Sequence, residues 1–193
     1  MTEREQLQSD LNYVREAVAT AESAPSPAGI YLLWAVLISI GFALADFARH
    51  LVGPFWTIAG PAGFLVSVWL GYRFSATIGQ QSRSVGMRHL AHWFGLLVAI
   101  AASVPLGTTG AVEWETLFRF ILLLLTFSYF LAGVHLDPSL RWIAGLMLLA
   151  YGGLFVLTTY PFTVSGLLIA TGLVVAGLRA RSRLGAAHAP TTG

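Results

Sequence analysis

Histidine is scarce in this sequence, yet three of the five copies fall where they could meet. His89 and His92, in the stretch MRHLAHW, are three residues apart, so on a helix they share one side. His135 and Asp137 stand at the end of a later apolar run. Imidazoles bind transition metals, hold haem iron and take up protons near neutral pH. These four residues are candidate ligands for a metal, a haem or a proton; the alternative is ordinary interface histidines beside an Asp137 helix cap.

A second set of ionisable residues lies near the ends of other apolar runs. Asp46 is close to the end of the first run, while Glu115 and Arg119 begin the fourth. A charge within a lipid-spanning segment is costly unless it faces other helices and has a partner. We therefore expect Arg119 to pair with either Asp46 or Glu115.

Signatures of membrane enzymes are incomplete here. The segment from Glu115 to Arg119 resembles the glutamate–arginine motif of the CAAX-type membrane proteases. That family uses two adjacent glutamates before the arginine, whereas Trp114 occupies the first of these positions, and His135 lies at a different spacing from the family's histidines. The sequence has no serine elbow, zinc helix or glycine-rich phosphate loop. We expect no catalytic residues and no resident cofactor.

The composition places most of the chain in lipid. Charged residues make up 10% of the sequence and the mean hydropathy is +0.72, whereas an ordinary soluble domain carries about 25% charged residues. The absence of cysteine excludes disulfides and thiolate metal sites. The arginines are dispersed at the ends of apolar runs, which argues against a nucleic-acid-binding face.

Six apolar runs are each close to the roughly 20 residues that a helix needs to cross a bilayer. We predict an all-α integral membrane bundle of six transmembrane helices, preceded by a cytoplasmic amphipathic helix at 1–23 and a linker at 24–27. The transmembrane domain covers 28–180, and 181–193 is expected to be a disordered cytoplasmic tail. The predicted spans are 28–48, 54–74, 90–109, 114–136, 139–158 and 161–180.

The arginines predict the orientation. With six spans, only Arg49 and Arg119 lie towards one side of the membrane. Because positive charge concentrates in cytoplasmic loops, we expect both termini in the cytoplasm and the chain in the plasma (inner) membrane. The arginines on the predicted cytoplasmic side are Arg4, Arg15, Arg73, Arg83, Arg88, Arg141, Arg179, Arg181 and Arg183.

Small residues recur every four positions on the second and third spans. Such stripes let helices approach closely, so we expect the two stripes to face each other within one chain; a dimer interface or a narrow solute path is the alternative. The stripes are Ala59, Gly63, Ser67 and Gly71, and Gly95, Ala99, Ser103 and Gly107.

The N-terminal segment carries an apolar seam of Leu7, Leu11, Val14 and Val18 on an otherwise polar and acidic helix. Anionic lipid would repel it, so we expect it to dock on protein: the chain's own arginines, a second copy or a cytoplasmic partner. The sequence thus favours a sensor or accessory subunit that binds a partner through this helix. A small-solute transporter or channel and a metal- or haem-binding membrane protein stay open as alternatives.

Overall fold

The part of the chain that the structure describes is almost entirely helical. The computed structural model describes residues 3–22, 27–77 and 83–187, with side chains described over 4–13, 27–76 and 86–182. Those ranges contain no strand, so the all-α prediction is confirmed. Their helices are α1 (Glu3–Glu22), α2 (Ala28–Phe47), α3 (Arg49–Thr77), α4 (Arg83–Thr108), α5 (Trp114–His135), α6 (Leu140–Val156) and α7 (Pro161–Ala187).

The apolar helices differ in length. Within the described residues, α2, α3, α4, α5 and α7 are long and apolar enough to cross a membrane. Helix α6 is apolar but has 17 residues, which is about 25 Å at 1.5 Å per residue. Five helices therefore satisfy the length criterion for a span, where the sequence predicted six.

Three helix boundaries lie five or more residues from those predicted, and one of them is the start of α4 at Arg83 rather than at 90. Helix α3 begins at Arg49 rather than at 54, because Ala48 alone separates it from α2 and the amide of Leu51 already donates to the Ala48 carbonyl at 2.9 Å. Helix α7 continues through residues 181–187, where disorder was predicted. Arginine and alanine favour helix there, and the next proline comes only at 190. The rest of the predicted tail, 188–193, and the linker residues 24–26 lie outside the described residues.

The helices adjoin one another in the order α3, α2, α7, α6, α5, α4. The most extensive contact joins α2 to α7, and α6 lies between α5 and α7. Helices α3 and α4 approach each other through Phe64 and Phe94, whose ring centroids are 6.5 Å apart. In the centre, Phe118 of α5 meets both Phe42 of α2 and Phe162 of α7 edge to face, at 5.0 and 5.2 Å. The buried core therefore belongs to α2, α5, α6 and α7, with α3 and α4 at the flanks.

Glycines allow the closest helix contacts. A Cβ at Gly166 of α7 would collide with the side chain of Phe42, and one at Gly41 of α2 with the indole of Trp56. Glycine at these positions lets a large ring lie directly on the backbone of the neighbouring helix. This arrangement is typical of helix pairs in membranes, where van der Waals packing stabilises association.

The two small-residue stripes do not pack on each other as expected. Gly63 faces Trp34 and Leu37 of α2, and Ser67 accepts a hydrogen bond from the Trp34 indole at 3.0 Å. On the second stripe, Gly107 lies against Trp114 and Leu117 of α5, and Ser103 is buried.

The stripes are also only partly covered. Ala59 and Ala99 are half-buried, while a Cβ at Gly71 or Gly95 would meet nothing within 4 Å. Short connections explain the partners, because α3 follows α2 after one residue and α4 leads into α5 through a turn. Each flanking helix therefore packs against its closely connected neighbour.

Candidate functional site

One end of the bundle contains the first residues of α2, α4 and α6 and the last residues of α3, α5 and α7. We call it the α1 end, because α1 leads into α2 there. The opposite end contains the last residues of α2, α4 and α6 and the first residues of α3, α5 and α7. The candidate residues of the sequence separate accordingly. The histidines and Asp137 lie at the α1 end, and Asp46, Glu115 and Arg119 lie at the opposite end.

His92 joins α4 to α5. Its Nε2 atom lies 3.0 Å from the hydroxyl and 3.1 Å from the carbonyl oxygen of Ser128, which is buried. With a hydrogen on Nε2, His92 donates to the carbonyl; without one, it accepts the serine hydroxyl. The adjacent Trp93 packs edge to face on Tyr129 at 5.0 Å. Both side chains thus fix α4 against the same turn of α5.

The other two histidines are close to His92, as the topology predicted. His89 is half-buried and His135 is exposed, and both are near enough to His92 to interact with it electrostatically. Among the described residues, however, no three or more histidine or acidic side chains converge in a way that could hold a metal ion. The arrangement brings the imidazoles together at one end of the bundle without forming such a ligand set.

Asp137 acts as a connector between helices. Its carboxylate accepts the backbone amide of Ser139 at 2.9 Å, as a side chain does just before a helix, and the hydroxyl of Tyr31 at 3.3 Å. The first contact prepares the start of α6, and the second ties α2 to the turn between α5 and α6. Asp137 therefore links the turn between α5 and α6 to α2, and its role as a ligand stays a prediction.

At the opposite end, Asp46 caps a helix other than its own. Its Oδ2 atom accepts the backbone amide and the hydroxyl of Thr163, both at 2.7 Å. Thr163 lies in the first turn of α7, where backbone amides lack partners inside the helix. The carboxylate is also favoured there by the positive end of the helix dipole. Asp46 thus joins the end of α2 to the beginning of α7.

Arg119 pairs with Glu115, one of the two partners open to it from the sequence. Its Nη2 atom lies 2.6 Å from Glu115 Oε1, and its guanidinium lies over the ring of Phe155 at 4.8 Å. The Nε atom is buried without a hydrogen-bond partner. A guanidinium that packs on an aromatic ring and binds one carboxylate holds α5 and α6 together at this end.

Helix α1 presents its side chains to the surroundings. All of residues 4–13 are exposed, including Leu7 at 58% and Leu11 at 55%. Val14 and Val18 continue the seam along α1, but their side chains lie outside the described residues. The helix carries five acidic residues against two arginines. It therefore combines an uncovered apolar seam with an excess of negative charge.

The end of the bundle next to α1 is basic. Two of its arginines lie over tryptophan rings, Arg73 over Trp69 at 4.9 Å and Arg179 over Trp142 at 5.7 Å. Such cation–π contacts hold each guanidinium group against the face of a tryptophan ring. The exposed arginines of this end are Arg73, Arg88, Arg141, Arg179 and Arg181.

Several contact residues were not predicted from the sequence. Ser128, Tyr31 and Thr163 each bind a predicted residue, and each is a polar side chain close to or within an apolar run. The sequence does mark these residues as ones that need a hydrogen-bond partner, because a polar group in lipid is costly without one. Which partner it finds depends on the helix arrangement.

Comparison with known proteins adds no assignment, since no family model, curated protein or solved structure matches the chain.

Proposed function

We propose that this protein is a six-span integral membrane protein that acts as an accessory or sensor subunit and binds its partner through α1. The observation that carries the proposal is the exposure of the apolar seam of α1 at Leu7 and Leu11. Exposed leucines at helical spacing on a polar helix are typical of a helix that lies in the groove of a partner. The acidic surroundings of the seam favour a partner surface that is basic as well as apolar.

The contacts inside the bundle support a binding role over a solute path. Three of the ionisable side chains that the sequence singled out have hydrogen-bond partners on another helix: Asp46 with Thr163, Asp137 with Tyr31, and His92 with Ser128. A polar path through a membrane protein needs such groups to face the solute. Here they are engaged in holding neighbouring helices in register.

The position of α6 supports the proposed count of six spans. This helix lies between α5 and α7, and its buried residues run from Leu140 at one end to Leu154 at the other. If α5 and α7 cross the bilayer, a helix packed along both of them crosses it too. The short length of α6 is then compensated by the extended backbone at Leu157 or by local thinning of the bilayer.

The arginines support an orientation with both termini in the cytoplasm and, for a plasma (inner) membrane, the α1 end facing inwards. The α1 end carries five exposed arginines on the bundle, whereas Arg49 and Arg119 belong to the opposite end. An excess of arginine in short loops and near span ends is typical of the cytoplasmic side. The docking helix α1 would then lie in the cytoplasm.

The experiment compares two variants of the full chain in native membranes, solubilised mildly and separated by native electrophoresis. Leu7→Asp with Leu11→Asp places charge in the seam, whereas Ser9→Asp with Asn12→Asp adds the same charge on the opposite side of α1. We expect the unmodified chain and the Ser9/Asn12 variant to migrate as an assembly larger than the monomer, and the seam variant to migrate as the monomer. Equal migration of the two variants would overturn the docking role.

A further inference from the structure

The exposed arginines at the α1 end come from several helices of the bundle and make this end basic. Arg88 lies near the start of α4, whereas Arg179 and Arg181 lie near the end of α7, so the charges come from different helices of the bundle. All three are exposed. A surface of this kind attracts acidic helices, and the attraction decreases with salt.

Helix α1 carries negative charge beside its seam. In the sequence Glu3 precedes Leu7 by four residues. Asp10 follows Leu7 by three, so helical spacing places Asp10 on the side of the helix that bears the seam. A basic surface with apolar neighbours therefore complements this side of α1 in both respects. The tryptophans under Arg73 and Arg179 supply such neighbours at the α1 end.

The tether keeps these two surfaces near each other. Residues 23–27 separate α1 from α2 and reach about 17 Å when extended. Copies of the chain inserted with the same orientation present their α1 helices and their arginines on the same side of the membrane. The two surfaces can therefore meet between neighbouring copies without any other rearrangement.

Within one chain the two surfaces are both open. Residues 4–13 of α1 are exposed, and so are Arg88, Arg141, Arg179 and Arg181. We propose that α1 of one copy binds the arginine-bearing α1 end of a second copy, reciprocally, to form a dimer. This inference rests on the proposed function, because it identifies the partner of the docking helix as another copy of the chain.

Two other occupants fit the charges less well. Pairing of two α1 helices brings together two segments that each carry five acidic residues against two arginines, and like charges at a helix interface destabilise it. Anionic lipid attracts the arginines but leaves the seam of α1 uncovered. A second copy satisfies both surfaces at once.

The test exchanges the charges between the two surfaces in the full chain, purified in detergent and in lipid nanodiscs. The acid-reversed variant is Glu3→Arg with Asp10→Arg, and the base-reversed variant is Arg88→Glu with Arg181→Glu. The molar mass is measured by size-exclusion chromatography with light scattering. We expect a dimer for the unmodified chain. Self-association of either variant should be at least tenfold weaker, because its α1 and the α1 end of the second copy then carry charges of the same sign.

The mixture of the two variants gives the decisive result. In a mixed pair, each reversed surface meets its complement on the other chain, so both contacts form and a heterodimer appears at the affinity of the unmodified chain. The control is Arg49→Glu, which reverses an arginine at the opposite end and should leave the dimer unchanged. Weakening of the unmodified dimer by salt is expected as well.

Each contrary result overturns the inference. A monomeric unmodified chain, or reversed variants that dimerise normally, excludes docking between copies. If both reversals in one chain restore its thermal stability but the mixed variants stay monomeric, α1 docks on its own chain.

If base reversal reduces only binding to vesicles rich in phosphatidylserine, the arginines bind lipid. Loss of the native assembly in the Leu7/Leu11 variant, together with a monomeric purified chain, would leave the proposed function standing with a different partner.

Discussion

At the residue scale, Asp46 shows how an acidic side chain near the end of an apolar helix is accommodated. Its carboxylate accepts hydrogen bonds from the backbone amide and the hydroxyl of Thr163 at the start of α7. The amide has no partner inside the helix at this position. The helix N-terminus is the one place in an apolar bundle where backbone amides are available to a carboxylate. The charge is therefore stabilised by backbone dipoles without a cationic partner.

Asp46→Ala should lower the free energy of unfolding by about 1–2 kcal/mol, because it removes the acceptor of a cap and of a hydroxyl. Thr163→Val removes the hydroxyl contact but keeps the backbone amide, so its effect should be smaller. Thermal unfolding of the purified protein in detergent measures both. An equal or larger effect of Thr163→Val would show that the backbone cap contributes little.

His92 contributes to stability through Ser128. His92→Ala should cost about 1–3 kcal/mol, since it leaves buried serine groups without their partner. Ser128→Ala should cost less, because the Ser128 carbonyl stays available to the imidazole. The double variant should be less destabilised than the sum of the single ones, with a coupling of about 0.5–1.5 kcal/mol. His135→Ala, at an exposed position, is the matched control, and additivity of His92 and Ser128 would contradict the contact.

At the element scale, close contacts between helices depend on which glycines are covered. Phe42 lies on Gly166 and Trp56 lies on Gly41, whereas Gly71 and Gly95 face open space. A glycine is therefore required for packing at a covered position but only weakens the helix at an uncovered one. Substitution by alanine distinguishes the two kinds of position.

Gly41→Ala and Gly166→Ala should each destabilise the protein by about 1–3 kcal/mol, because the added methyl group pushes a ring off the helix surface. Gly95→Ala and Gly71→Ala should be neutral or stabilising by up to about 1 kcal/mol, since alanine favours helix. Chemical unfolding in mixed micelles compares the four variants. Clear destabilisation by Gly95→Ala would indicate a neighbour at that position in the assembled protein.

The sequence predicts some of these elements well and others poorly, for physical reasons. Apolar runs of membrane length predict helices, and alternating direction brings His92 and His135 to one end. The stripe through Gly63 predicts close packing but does not identify the neighbour, which the single residue between α2 and α3 determines. Likewise, nothing in the spacing shows that Asp46 reaches Thr163, because that contact depends on the relative depth of α2 and α7.

At the scale of the whole molecule, the buried centre and the flanks have different surroundings. Half of the most apolar stretch of α7 is buried, compared with 6% for α3 and 11% for α4. Most apolar side chains of the flanking helices are therefore left uncovered within one chain. Helix α6 belongs to the centre although it is the shortest of the apolar helices, so its path across the bilayer decides the number of spans.

The natural absence of cysteine makes the path of α6 directly measurable. Pro138→Cys and Thr158→Cys place single thiols at exposed positions on either side of α6. If α6 crosses, a membrane-impermeant maleimide added to intact cells should label Thr158→Cys, and Pro138→Cys only after permeabilisation. Ser182→Cys should behave like Pro138→Cys, and Thr109→Cys like Thr158→Cys, because topology places each pair at one end of the bundle. Labelling of Pro138→Cys and Thr158→Cys from the same side would show that α6 does not cross. If the two positions expected outside are protected and the two expected inside are labelled in intact cells, the orientation is opposite to the one proposed.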